Sequence, residues 1–228
     1  MSTEFILNLI VLGISIALGT TLLVCLKKSK RSLPETWQKS ASVKNFRLSI
    51  LLLSTYLSIV FIGEVIATSM AGMGIYNCYI IIGSYTLHIP FLLGFFFINT
   101  VSSRKRYVYI FVYLILVAHF IWMDYYNPRS VLAIHTSQVI DTSLFIAALL
   151  HLTDILVNPK SDYIKFQFRI DFSILIFFLL TTITSPFFVD ALDPHEILFH
   201  LNTLIITLYY LSFAVIFTSE IIKLSRRH

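Results

Sequence analysis

Ionisable side chains are scarce in this sequence, and those inside its apolar stretches carry the most chemical information. Of 228 residues, 57% are hydrophobic and 13% charged, the latter about half the share of an average soluble domain. Glu64, His88, His119, His135, Asp141 and His200 each interrupt a long run of Leu, Ile, Val and Phe. A charged or strongly polar group in such surroundings is costly unless it meets another polar group or a cavity. An imidazole near a carboxylate can hold and pass a proton, ligate a metal or hydrogen-bond a ligand. These residues come from five different runs and lie at similar depth, in the half away from the basic loops.

Spacing gathers further polar groups around them. At about 100° per residue, Ser84, His88 and Asn99 fall within a narrow arc of one helix. His135, Gln138, Asp141 and Thr142 share a face of another, while His151 and Asp154 turn elsewhere, toward the basic end. His200, Thr203, Thr207, Tyr210 and Thr218 form a third stripe. The expectation is a ligand pocket open to the outside, lined by Glu64, Ser84, His88, His119, His135, Gln138, Asp141, His200, Thr203, Thr207 and Tyr210. Interhelical hydrogen bonding is the other use of such stripes. Pro90 and Pro186 are expected to kink their helices beside the pocket.

No metal site is expected, because no two of these ligands have metal-binding spacing on one helix. His195 and His200 are five apart, about 140° around a helix. That departs from the His-x-x-x-His of the seven-helix hydrolase superfamily, which includes alkaline ceramidases and adiponectin-type receptors. Haem held by His88 with His151 or His200 finds no support in the local sequence. A retinal protein needs a lysine inside its last helix, where this chain has only Lys223 at the end. No Ser-His-Asp order, Gly-rich phosphate loop or metalloprotease motif is present. The cofactor is left open.

The elements that must position these groups are seven apolar runs, at about 5–26, 48–70, 77–99, 107–123, 131–157, 170–189 and 197–222. Each reaches or approaches the ~20 residues a helix needs to cross the hydrocarbon, and none alternates as a barrel strand does. The fold class expected is all-α: a single polytopic domain over 1–228, a bundle of seven transmembrane helices. One set of loops holds Lys27, Lys28, Lys30, Arg31, Lys39, Lys44, Arg47, Arg104, Lys105, Arg106, Lys160, Lys165, Arg169, Lys223, Arg226 and Arg227, and the other only Arg129. The positive-inside rule then puts the N-terminus outside and the C-terminus in the cytoplasm. The outer loops carry Glu4, Asp124, Asp190, Asp193 and Glu196. Trp122, Tyr125 and Tyr126 suit an outer aromatic belt, and Tyr107, Tyr109 and Tyr163 an inner one.

The net charge of +5 resides in loops, so nucleic acid is not an expected partner. The bilayer is, together with a small or lipidic ligand and a cytoplasmic protein at the basic 27–47 loop; plain topogenesis is that loop's other explanation. Cys25 and Cys78 fall near opposite ends of their helices and do not pair. The first run follows Met1-Ser-Thr-Glu4 with no basic segment, so no cleavable signal is expected.

The third run reads Leu87-His88-Ile89-Pro90-Phe91-Leu92-Leu93-Gly94. With its N-out orientation, short loops and Tyr- and Phe-rich bundle, the chain resembles the free-standing seven-helix membrane modules of bacterial sensor kinases and membrane-bound regulators. The resemblance implies a receptor-like or accessory protein of the bacterial cytoplasmic membrane. Because the sequence stops at Lys223-Leu-Ser-Arg-Arg-His228, a separate partner is expected to read the signal. Two alternatives stand beside it. One is a membrane-embedded enzyme acting on a lipid or isoprenoid; the other is a small-solute or proton-coupled carrier titrating Glu64 and Asp141.

Overall fold

Inside hydrocarbon a backbone N–H or C=O finds no water, so an apolar stretch closes its own hydrogen bonds as a helix whatever its intrinsic propensity. The computed structural model of the chain describes residues 3–29, 41–73, 78–100, 102–126, 132–157, 164–190 and 196–226, and it folds them into helices. In chain order these are α1 (Thr3–Ser29), α2 (Ala41–Gly72), α3 (Cys78–Asn99), α4 (Ser103–Tyr126), α5 (Leu132–Val157), α6 (Ile164–Asp190) and α7 (Glu196–Ser225). Among the described residues, five contain segments long and apolar enough to cross a membrane: Ile6–Lys27, Lys44–Met70, Gln138–Val157, Ile164–Thr184 and His200–Ser225. α3 adds a shorter apolar segment, Ile89–Asn99. Ile10, Ile62, Leu87, Phe111, Leu156, Ile183 and Val215, one from each helix, are all more than half exposed. Lipid is the surroundings in which such a surface is stable, and the chain is a multi-pass integral membrane protein.

α1, α2, α3, α5, α6 and α7 pack in that order as a ring, with α7 returning onto α1, and α4 lies outside it against α3 and α5. The ring is filled by Leu12 and Leu22, Ile50, Leu53 and Leu57, Phe95 and Phe96, Leu144 and Ala147, Ile170 and Ile174, and Phe213 and Phe217. α1 is wedged most tightly at Gly19. A Cβ there would collide with Ser54 Oγ of α2 and come within 3.1 Å of the Phe217 ring of α7. Polar ties span the same seam. Ser15 Oγ donates to the Tyr210 carbonyl at 2.8 Å, Thr207 bonds Asn8, and the Tyr56 and Tyr209 hydroxyls meet at 3.0 Å.

The helices outrun the apolar runs at one end. α2 begins at Ala41 rather than 48, α4 at Ser103 rather than 107, and α6 at Ile164 rather than 170. The added turns carry Lys44, Arg47, Arg104, Lys105, Arg106, Lys165 and Arg169, which mark a basic end of the bundle. Long basic side chains extend a helix past the hydrocarbon because their stems lie along it while their heads reach the interface. Tyr107, 72% exposed, occupies the surface expected of a belt residue. Tyr109 does not: it is 1% exposed and packs in the core. α3 runs through Pro90 without interruption.

Several expected features lie outside the described residues. They are most of the basic 27–47 loop, Arg129, Tyr163, Asp193 and His195, and the side chains of Glu4, Cys78, Ser84, His88, Trp122, Asp124, Tyr125, Tyr126, His135, Pro186, Asp190 and Glu196.

Candidate functional site

His151 and Asp154 stand one turn apart on α5, and Gln167 and Asp171 one turn apart on α6, so each pair shares a helix face. The helices run antiparallel and pack along their length, which brings the two faces together near the basic end. There His151 Nδ1 lies 2.6 Å from Asp171 Oδ2, with both side chains fully buried. That separation is at the short end for a hydrogen bond between an imidazole and a carboxylate. Three rings enclose the imidazole: Phe95 at 5.7 Å between centroids, Phe96 at 5.1 Å and Tyr109 at 6.5 Å. His151 Nε2 and Asp171 Oδ1 have no hydrogen-bond partner among the described residues. A carboxylate on Nδ1 fixes the ring's tautomer and orientation and leaves Nε2 as its basic atom. Counting the ring N–H, the pair is neutral when it holds two protons and so tolerable in this surrounding; with only one it carries a net negative charge that is buried.

Around the pair, polar contacts join α2 to α7. Lys105 Nζ sits 3.3 Å from Asp154 Oδ1, so the cation at the start of α4 neutralises a carboxylate that is 2% exposed. Arg106 Nε donates to the Thr100 carbonyl at 2.9 Å, and the Thr100 hydroxyl reaches Tyr109 at 3.3 Å. Gln167 Nε2 donates to Asn99 Oδ1 at 2.6 Å, and Asn99 Nδ2 to Ser49 Oγ at 2.8 Å. Arg169 donates to Ser219 Oγ at 3.0 Å, and Lys223 pairs with Glu220. The result is a polar layer crossing six of the helices near the basic end, with His151 and Asp171 as its driest part.

The residues expected to line an outer pocket have varied surroundings where the structure describes them. Asp141 is buried and hydrogen-bonded to Thr181 of α6. Glu64 and His200 are exposed. His119, Gln138 and Thr203 are half-buried. Thr207 is tied to Asn8 and the Tyr210 carbonyl to Ser15, so both serve the α1–α7 seam. Ser84, His88 and His135 belong to the side chains outside the description. Among the described residues, no three His, Cys, Asp or Glu side chains group as metal ligands.

Sequence reasoning passed over Asp171 and Gln167 and set His151 and Asp154 aside. The signal was present: two polar pairs at helical spacing on consecutive helices, at matching distances from the loop between them. What it lacked was the rotation of one helix against the other. No protein-family model, curated protein or solved structure matches the chain. The class that fold and site define is therefore the one physics supplies: a multi-pass helical membrane protein with a buried polar layer near its basic end.

Proposed function

We propose that the chain is a seven-span, receptor-like or accessory protein of the bacterial cytoplasmic membrane, N-terminus outside, that relays changes in helix packing to a separate cytoplasmic partner. The carrying observation is the polar layer, which ties α2 through α7 together at the end bearing the basic residues. Buried polar networks are discrete: their bonds are made in one packing and remade in another, so a small shift at one helix becomes a choice between arrangements. A ligand held in the outer half biases that choice to the extent that it binds the two packings differently. Asp141 with Thr181 and Thr207 with Asn8 are polar contacts described toward that half.

Spin labels attached through Lys44→Cys and Lys223→Cys, in a Cys25→Ser/Cys78→Ser background in nanodiscs, test the relay. Two distance populations are expected between α2 and α7, with Asp171→Asn changing their ratio. One distance, indifferent to Asp171→Asn, overturns it. Native mass spectrometry of the same sample identifies a retained ligand.

A second reading, a proton-coupled carrier, is favoured by one observation. Asp141 and the His151–Asp171 pair lie on the same α5–α6 seam at two depths, about 15 Å apart along α5 at 1.5 Å per residue. Reconstituted vesicles carrying a pH-sensitive dye decide it: a carrier collapses an imposed gradient and loses that ability in Asp171→Asn.

A further inference from the structure

Where α5 ends and α6 begins, the basic end carries an open groove of about 430 Å³ lined by Ile155, Leu156, Ile164, Lys165, Phe168 and Arg169. Its walls are those of a lipid-facing surface. Leu156 is 62% and Phe168 38% exposed, and Phe168 stacks on Phe172 one turn deeper, with ring centroids 6.0 Å apart. Its mouth is cationic. Lys165 is exposed, and Arg169 is 44% exposed although its Nη1 is held by Ser219 and lies 4.0 Å from Glu220. Glu220 is paired more closely with Lys223, so the described side chains around the mouth keep a net positive charge.

We infer that this groove binds one anionic phospholipid, its phosphate on Lys165 and Arg169 and an acyl chain along Leu156 and Phe168. Charge and polarity both select that occupant. A soluble anion has no use for the apolar walls, and a zwitterionic lipid brings its own cation to a mouth already holding two. An arginine fixed on one side by Ser219 offers its remaining N–H groups in a set direction, which suits a phosphate. Basic pockets between helices at a membrane face hold anionic headgroups by this combination. Lipid capture here requires neither the relay nor its partner.

The test is native mass spectrometry of the full chain in neutral detergent, titrated with phosphatidylglycerol or phosphatidylcholine of identical chains. Each cation near the surface contributes about a fivefold preference. The first phosphatidylglycerol is therefore expected to bind about 25-fold tighter than phosphatidylcholine. Lys165→Gln should reduce that preference about fivefold and Lys165→Gln/Arg169→Gln should abolish it, while Lys44→Gln, at the same end on α2, keeps it. Lys165 is exposed, so the single variant reads the site even if the double variant fails to fold. Equal binding of the two lipids by the unaltered protein overturns the inference. So does a preference that Lys165→Gln leaves intact, or displacement of the lipid by an equal concentration of free glycerol phosphate.

Discussion

Removing one partner of a buried pair leaves the other unneutralised in a low dielectric, whereas removing both leaves only a change of packing. His151 and Asp171 are an extreme instance, because neither side chain reaches solvent. His151→Leu should cost about 3–5 kcal/mol of unfolding free energy, and His151→Leu/Asp171→Leu should recover most of it. Thermal unfolding in detergent measures this, and a double variant no more stable than the single one would refute the pairing. Lys105 poses the same question at a partly exposed position. Lys105→Met takes a cation away from the buried Asp154 carboxylate, whereas Lys105→Met/Asp154→Leu removes both charges, so the single variant is expected to unfold first. These groups were individually visible in the sequence as polar letters near run ends. Their pairing was not, because it depends on which faces two helices turn to each other, and a continuous apolar run constrains that rotation very little.

Helices as units were far more legible. Continuous apolar runs fixed where each helix lies, since lipid leaves the backbone no alternative. Their starts were not fixed. Beginning the span at its first continuous apolar stretch, at 170, cut Gln167 and Arg169 away from α6 and left Asp171 just inside its margin. A helix continues through polar residues when other helices or the interface satisfy them, as Asn99 does for Gln167. At the same scale, close helix approach makes a glycine decisive. Gly19→Ala should cost about 1–3 kcal/mol by forcing α1 off Ser54 and Phe217. Gly13→Ala should be neutral or stabilising, because its added Cβ finds only Phe61 at 3.9 Å. If the two variants melt alike, α1 is not wedged at Gly19.

Across the whole molecule, basic side chains from α2, α4, α6 and α7 gather at one end of the bundle. The proposed topology places that end in the cytoplasm. In a Cys25→Ser/Cys78→Ser background, an impermeant maleimide should therefore label Arg129→Cys on intact cells and Lys223→Cys only after permeabilisation. The reverse pattern inverts the protein, and labelling of both on intact cells breaks the count of spans. α4 adds an asymmetry to this architecture. The other six helices are each held by two ring neighbours, but α4 rests on the ring from outside, with Tyr107, Phe111 and Leu114 turned to lipid. It nevertheless supplies Tyr109 to the wall around His151 and Lys105 to Asp154. α4 is thus placed like a shutter: moved aside, it would take one ring off the imidazole and a cation off a buried carboxylate together, while the six helices of the ring kept their mutual contacts.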